Sequence, residues 1–175
     1  KLNIEIDEIK YDIKPHLKYF QTMIKYYDYA IINVDDDIIY HNDTIYSLFK
    51  SYIKFPNLVS TRRVNKFVFF ENNELKKYSN FIFQYTKNKE PSFDLLATGV
   101  GGVLYPPNIL NLNLNDLDRI KYCIYGDDIY LKYLEIKKGI QVVWVPNKYL
   151  SGIPFTNNKL KSSGLFFKNV KLHND

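Results

Sequence analysis

The stretch that decides the fold is AIINVDDDIIY, residues 30–40, in which an apolar run ends in three consecutive aspartates. The run is apolar almost throughout, which predicts a central strand covered on both faces, as in a parallel α/β sheet. The aspartates then follow the carboxyl end of that strand, where ligands bind in open α/β sheets. Three carboxylates with ordinary pKa values of about 3.9 repel one another at neutral pH. We therefore expect a cation to compensate this charge.

The segments on either side of residues 30–40 alternate between strand and helix patterns. Before it, LNIEI (2–6) alternates like a short strand, and HLKYFQTMIKYY (16–27) has apolar residues at helical spacing. After it, HNDTIYSLFKSYIKF (41–55) predicts a helix that begins near Asn42, Asp43 or Thr44 and carries Ile45, Leu48, Phe49 and Ile53 at helical spacing. NLVSTRRV (57–64) predicts the next strand.

The second half of the chain continues this pattern. ATGVGGVLYPPNIL (97–110) predicts a loop of small residues that leads into a short strand stopped by two prolines. YGDDIYLKYLEIKKGIQVVWVP (125–146) predicts a helix opened by acids and ended by Gly139, followed by a strand. Residues 65–86 fit strands and loops equally well. The fold class is α/β.

Composition limits the size and the partners of the protein. With 175 residues, 46% of them hydrophobic and 17% aromatic, the chain forms one globular domain over residues 1–175. A net charge of +5 favours an anionic partner such as a nucleotide or a membrane surface, but the basic residues are too dispersed to favour nucleic acid. The single cysteine, Cys123, excludes an internal disulfide and fits a reducing compartment. No apolar run is long enough to cross a bilayer.

Two groups of carboxylates carry the chemistry. Asp35, Asp36 and Asp37 are hard oxygen ligands that suit Mg²⁺ or Mn²⁺, which bind one or two carboxylates together with the phosphates of a substrate. Asp127 and Asp128 open a predicted helix, and one of them can act as the general base of a transfer to an alcohol. A solvated acidic turn and a pair of helix-dipole complements are the structural alternatives for the two groups.

Other candidates lie near these acids along the chain. The TGVGG segment (98–102) allows close approach of a ligand to the backbone, although a tight structural turn explains it equally well. Lys14 and Lys18 precede the first helix, where a lysine near the aspartates can pair with a diphosphate. His173 is a candidate for a distal metal ligand.

Four segments together resemble a known family. In chain order they are DIKPHLKYFQTMIKYYDYAIINVDDDIIY (12–40), FDLLATGVGGVLYPPNIL (93–110), YGDDIYLKYL (125–134) and FFKNVKLHND (166–175). They resemble bacterial glycosyltransferases of the GT-A fold that are related to glycosyltransferase family 2 and associated with lipopolysaccharide or capsule polysaccharides. The resemblance implies a Rossmann-like, mixed and mostly parallel sheet flanked by helices. The family's N-terminal βαβ region is missing from this sequence, so we expect a truncated domain.

The resemblance also implies roles for individual residues. It makes Asp128 the catalytic base with Asp127 beside it, and it assigns Mn²⁺ or Mg²⁺ to Asp37 and Asp35. Nucleotide-sugar binding falls to Lys18, Lys14, Asp35 and Asp36, and we expect acceptor contacts from Thr98, Gly99, Gly101 and Gly102. Tyr130 stands where the family has a tryptophan after the acidic pair, a change that is expected to alter stacking on the acceptor.

The expected function is a metal-dependent transfer of a sugar from a nucleotide-sugar to a saccharide or lipid-linked acceptor. Inversion at the anomeric carbon is implied by the resemblance. The expected location is the cytoplasm, with peripheral association at the inner face of the membrane compatible with the charge.

Two alternatives stay open. One is a haloacid-dehalogenase-type phosphatase, with Asp35 as nucleophile, Asp37 as acid/base, Ser60 or Thr61 on the phosphate and Lys76 or Lys77 stabilising charge. Against it, Ile39 stands where threonine or valine is usual, the nucleophile strand is not the first, and TGVGGVLYPP is left unexplained. The other is a non-catalytic glycan- or nucleotide-binding module.

Overall fold

The structure is a computed structural model that describes residues 4–146 and the backbone of residues 153–154. Its longest helices bring their first turns to the ends of short strands. In chain order the elements are a 3₁₀ turn at Lys14–Lys18, α1 (Phe20–Lys25), β1 (Ile31–Asn33), β2 (Ile38–Ile39), α2 (Thr44–Lys54), β3 (Val59–Thr61), β4 (Val64–Lys66), a 3₁₀ turn at Tyr78–Asn80, β5 (Leu95–Ala97), a 3₁₀ turn at Gly99–Gly101, β6 (Val103–Tyr105), α3 (Asp116–Ile120), a 3₁₀ turn at Lys121–Cys123, α4 (Asp127–Lys137), β7 (Val142–Trp144) and β8 (Ile153–Pro154).

The main sheet is mixed and has four strands in the order β1-β6-β3-β7. Strand β6 runs antiparallel to both β1 and β3, while β3 and β7 are parallel. Strands β1, β3 and β7 therefore share one direction, but the prediction of a mostly parallel sheet holds for a single neighbouring pair. The α/β class itself is confirmed.

Strand β1 lies at an edge of this sheet, so the prediction of a central strand is wrong. Its residues Ile31 and Ile32 are only partly buried, and only Asn33 is fully covered. Apolar content alone cannot separate a central strand from an edge strand whose one face packs on the core, because both favour isoleucine and valine. The aspartates nevertheless follow the carboxyl end of β1, as predicted.

Helices cover both faces of the sheet because side chains alternate along each strand. On β6, Val103 and Tyr105 point into the larger core, which also holds residues of α1 and α4 such as Phe20 and Leu131. Leu104 points to the other face, where it packs with Leu48 of α2. A helix–sheet–helix arrangement follows.

Two further predictions are corrected in detail. Residues 4–6 form no strand, and Ile4 and Ile6 are exposed. Helix α2 forms where its spacing predicted and begins after Asp43, yet Ile45, Phe49 and Ile53 lie on its exposed face. Helical spacing thus located the helix, but Leu48 is the member of the predicted set that packs on the sheet.

Some expectations fall outside the part of the chain that the structure describes. These are the role of His173 and the matching segment at residues 166–175. Between residues 4 and 146, no helix combines the length and the apolar character needed to cross a bilayer.

Candidate active site

Four charged side chains from three distant segments meet at one end of the sheet. Lys18 Nζ lies 3.1 Å from Asp35 Oδ1 and 2.6 Å from Asp127 Oδ2. Asp128, the next residue of α4, contributes a further negative charge to the surroundings of Lys18. We call Lys18, Asp35, Asp127 and Asp128 the Lys18 cluster. It joins the acidic triplet after β1 to the acidic pair of α4, which the sequence separates by about 90 residues.

The charges of the Lys18 cluster perturb one another. Burial disfavours the charged form of Lys18, but the carboxylates of Asp127, Asp128 and Asp35 outweigh it and raise the lysine pKa. Burial and the neighbouring Asp127 raise the pKa of Asp128 to about 7, against the opposing effects of Lys18 and the Gly99 N–H. Asp128 therefore changes its charge near neutral pH, as suits a group that takes and returns a proton.

The TGVGG segment positions Asp128. The backbone N–H of Gly99 donates to Asp128 Oδ1 over 3.0 Å. A Cβ on Gly99 would overlap the ammonium of Lys18, so a side chain there would displace the lysine from its present position. The first turn of α4 also favours the two acids, because its N-terminus carries a partial positive charge.

His16 connects two segments: the 3₁₀ turn that carries Lys18 and the segment that precedes α4. The imidazole is fully buried, and its Nε2 donates to the carbonyl of Cys123 over 3.1 Å. Its Nδ1 accepts from the Tyr19 hydroxyl over 2.6 Å. Burial lowers the pKa of His16, which keeps the ring neutral and consistent with these two bonds. The positioning role of His16 carries no signal in the sequence, since its partners are over 100 residues apart.

In the acidic turn after β1, Asp35 has contacts that hold it in place, whereas the carboxylates of Asp36 and Asp37 have none among the described residues. The Asp35 N–H donates to the Tyr40 hydroxyl over 2.9 Å, and burial raises the pKa of Tyr40 to about 12. Asp36 and Asp37 are exposed. No described residue forms a hydrogen bond or an ion pair with either carboxylate, so both remain available to a ligand.

The carboxylates fit a divalent ion that is held jointly with a substrate. Within residues 4–146 no three His, Cys, Asp or Glu side chains are arranged as a metal site. Mg²⁺ and Mn²⁺ at phosphate-binding sites need only one or two carboxylates, since water and phosphate oxygens complete the shell. Asp37, unpaired and exposed beside Asp35, meets this requirement.

Other predicted site residues have structural partners. Lys14 pairs with the exposed Asp12, on the same loop. Thr98 is buried, and its hydroxyl donates to the Arg63 carbonyl over 3.3 Å. The Gly101 and Gly102 N–H groups donate to Thr98 and Gly99 within the turn, over 3.0 and 2.9 Å. The geometry of TGVGG thus favours the structural turn, while contact with an acceptor stays a prediction for these four residues.

Tyr130 lies in the core instead of at a binding surface. It is 3% exposed, and its hydroxyl donates to Asp116 Oδ1 over 2.7 Å. It cannot stack on an acceptor in this position. Tyr78, a residue of the segment that the sequence left ambiguous, is partly exposed, and burial and the charge of Asp128 raise its pKa.

No protein-family model, curated protein or solved structure matches this chain. The geometry of its own residues therefore carries the functional argument.

Replacing Gly101 by alanine is expected to lower the free energy of unfolding by about 1–3 kcal/mol. An added Cβ would lie 2.5 Å from Arg63 Cβ and 2.7 Å from the Arg63 backbone nitrogen, and backbone cannot yield as a flexible side-chain end can. Urea unfolding, followed by the fluorescence of the single tryptophan Trp144, measures the change. Gly126→Ala is the matched control, since its Cβ meets no atom closer than 3.6 Å. Equal effects of the two substitutions would contradict the packing argument.

Proposed function

We propose that this chain is a metal-dependent glycosyltransferase with a GT-A-like fold. It moves a sugar from a nucleotide-sugar to a saccharide or lipid-linked acceptor in cell-surface polysaccharide synthesis, on the cytoplasmic side of the membrane. The observation that carries the proposal is the Lys18 cluster. Lys18, which the resemblance assigns to the donor together with Asp35, contacts both Asp35 and Asp127 of the acceptor-side pair.

Asp128 is the base of the proposed reaction. Its carboxylate takes the proton of the acceptor hydroxyl while that oxygen forms a bond to the anomeric carbon of the donor sugar. The bond between that carbon and the diphosphate oxygen breaks, and the electron pair leaves with the nucleoside diphosphate. A pKa of about 7 makes Asp128 a sufficient base that is still largely ionised at slightly alkaline pH. A single displacement of this kind inverts the anomeric carbon.

The donor side consists of Lys18 and the acidic turn. Lys18 is charged at every physiological pH, and its ammonium, which contacts Asp35 and Asp127, has a third N–H to offer a diphosphate at the point where the acids meet. Mn²⁺ or Mg²⁺, held by Asp37 and Asp35, would supply positive charge against the diphosphate when bound. Asp36, exposed between them, is available to the ribose hydroxyls of the nucleotide.

The two hydroxyls that the phosphatase alternative needs for phosphate binding lie inside the fold. Ser60 and Thr61 are fully buried. The Ser60 hydroxyl lies 2.9 Å from that of Ser51, and the Thr61 hydroxyl donates to the Gly102 carbonyl over 3.1 Å. Neither hydroxyl can reach a phosphate on Asp35 without opening the sheet. This observation supports the transferase over the phosphatase.

The experiment that tests the proposal is ³¹P NMR of the protein with Mg²⁺, a panel of sugar nucleotides and a simple phosphate monoester in one tube. Release of a nucleoside diphosphate supports glycosyl transfer and identifies the donor, with water as a slow acceptor. Release of inorganic phosphate from the monoester favours the phosphatase. Nucleotide binding without release of either product favours the non-catalytic module.

Asp37→Asn is expected to weaken binding of a Mn²⁺–nucleoside diphosphate complex at least about tenfold, while metal-free affinity changes little. The carboxamide keeps the size of the side chain but removes the charge that attracts the ion. Calorimetric titration with and without Mn²⁺ measures both affinities. Asp118→Asn changes the net charge equally at an exposed position on α3, outside the proposed site, and is the control. An unchanged metal-dependent affinity in Asp37→Asn would remove the metal assignment.

A further inference from the structure

Arg63 is held rigidly beside the TGVGG turn. It lies in the break between β3 and β4, and its carbonyl accepts from the Thr98 N–H over 3.1 Å and from the Thr61 hydroxyl over 3.1 Å. Its own N–H donates back to Thr61 Oγ1 over 3.3 Å. Gly101 packs directly on the base of the arginine side chain, where no larger residue fits. The turn that positions Asp128 therefore also positions Arg63.

The Arg63 guanidinium lacks an acidic partner. Its Nε is buried without a hydrogen-bond acceptor, and no carboxylate between residues 4 and 146 forms an ion pair with it. The preceding residue behaves differently, because Arg62 donates to Asp43 Oδ1 over 2.6 Å. A buried N–H of a cation that has no acceptor is costly, and an oxyanion with two oxygens matches the forked guanidinium. Arg63 thus carries a charge that no acid among residues 4–146 neutralises in an ion pair, and an anionic ligand would neutralise it.

An aromatic surface lies beside β4, the strand that begins directly after Arg63. Burial and the charge of Asp128 raise the pKa of Tyr78, while the charge of Arg63 opposes this, so the phenol is within electrostatic reach of both. The Tyr78 ring packs edge-on against Phe83, with centroids 5.3 Å apart, and 38% and 46% of the two residues are exposed. The Asn65 amide donates to the Tyr78 hydroxyl over 3.4 Å and fixes the ring. Exposed aromatic faces beside a few polar groups are typical of ligand sites.

We propose that Arg63 and Tyr78 form an acceptor subsite for a sugar with an anionic substituent, either a carboxylate or a phosphate monoester. Tyr78 packs against the sugar ring, Arg63 binds the anion in a bidentate manner, and Asp128 faces the hydroxyl to be glycosylated. The inference rests on the proposed function and names the class of its acceptor. The two anions share their oxygens and charge, so the structure assigns both to the same guanidinium.

The test measures sugar binding directly, without donor, by saturation-transfer NMR and calorimetry at about 0.15 M salt. The probes are three methyl glycosides of one hexose: the neutral sugar, its uronic acid and its 6-phosphate. Wild-type protein is expected to bind at least one anionic probe about tenfold more tightly than the neutral sugar or better. Arg63→Met should abolish this preference while it leaves the neutral affinity unchanged. The anion that shows the pattern identifies the substituent.

Matched variants separate the subsite from general charge and from folding. Arg119→Met removes the same charge from a half-exposed arginine on α3 and should retain the preference. Arg63→Lys keeps the charge but loses the fork, and it should retain only part of the preference. Tyr78→Ala should weaken all three probes alike. Equal affinities for neutral and anionic sugars in wild-type protein, or an unchanged preference in Arg63→Met, would overturn the proposal.

The outcomes distinguish a wrong subsite from a wrong proposed function. Transfer by a protein that binds neutral and anionic sugars equally, or whose preference for anionic sugars survives Arg63→Met, would support the transferase and overturn the anionic subsite. A preference that depends on Arg63, in a protein that releases no nucleoside diphosphate from any donor, would support the subsite and contradict the transferase.

Discussion

Asp128→Asn is expected to lower glycosyl transfer by about 10²–10⁴-fold with little change in donor affinity. The amide can still accept the Gly99 N–H through its oxygen, so the geometry of the turn survives, but it cannot take a proton. Initial rates of nucleoside diphosphate release with a saturating acceptor measure the first effect, and titration of the Mn²⁺–nucleotide complex measures the second. Asp118→Asn, at an exposed acid on α3, is the control. Transfer at the wild-type rate in Asp128→Asn would contradict the assignment of Asp128 as the base.

Asp128→Asn is expected to lower transfer but to raise the stability of the fold above pH 7, because the pKa of Asp128 is raised. In the wild type, kcat/KM is expected to rise with pH through about 7, as Asp128 loses its proton. A carboxyl with a raised pKa stabilises the fold fully below its unfolded pKa, and that contribution is lost as pH rises through the folded pKa. Above pH 7 the wild type therefore carries a cost that asparagine lacks. Asp128→Asn should unfold at a higher temperature than wild type at about pH 8 and show no such gain at about pH 4.

Lys18→Met is expected to reduce transfer about 10²-fold or more and to weaken donor binding, because the leaving diphosphate loses its nearest protein cation. It should also lower the free energy of unfolding by about 1–3 kcal/mol, since Asp127 would keep a carboxylate at 10% side-chain exposure without its partner. At neutral pH this pairing is fully present, because the raised lysine pKa places its loss far above that range. Transfer rates and urea unfolding measure the two effects.

Two controls separate the position of the Lys18 ammonium from its charge. Gly99→Ala keeps the lysine but places a methyl group where its ammonium lies, so it should reproduce part of the loss in transfer without a change in net charge. Lys14→Met removes the same charge from the loop that pairs with Asp12 and should leave transfer near wild type. A loss in Lys14→Met equal to that in Lys18→Met would place the donor diphosphate elsewhere.

The parts of the fold that the sequence predicted are those set by local rules. Helix α4 begins at the two acids and is followed by Gly139 at φ +68°, as the capping pattern indicated. The acidic triplet follows the carboxyl end of β1, which is where ligand sites lie in α/β sheets. Both acidic motifs were therefore placed correctly, although their roles are tested only by experiment.

The parts that the sequence could not predict depend on neighbours. Strand β1 pairs with β6, which lies some 70 residues later in the chain. The hydrophobic periodicity of the sequence does not indicate which strands pair. The exposed stripe on α2 likewise reflects which of its faces meets the sheet. Arg63 and Tyr78 belong to no motif, because the second of two arginines after a strand and a tyrosine in a polar loop gain meaning only when folding brings Arg63 against the TGVGG turn and Tyr78 against Asn65 of β4.

The contact between the first turn and α4 has a consequence for how the protein is made. His16 meets Cys123 across 107 residues, and Lys18 meets Asp127 beside it. Contacts of such long sequence separation form late, because their loop must close before they stabilise anything. On the ribosome the first turn must wait until residues 123–127 have emerged, and until then Lys18 has only Asp35 as its acidic partner and His16 lacks the Cys123 carbonyl. The Lys18 cluster is therefore completed only after α4 has been synthesised, and a chain that ends before α4 keeps the Lys18–Asp35 pair but lacks Asp127 and Asp128.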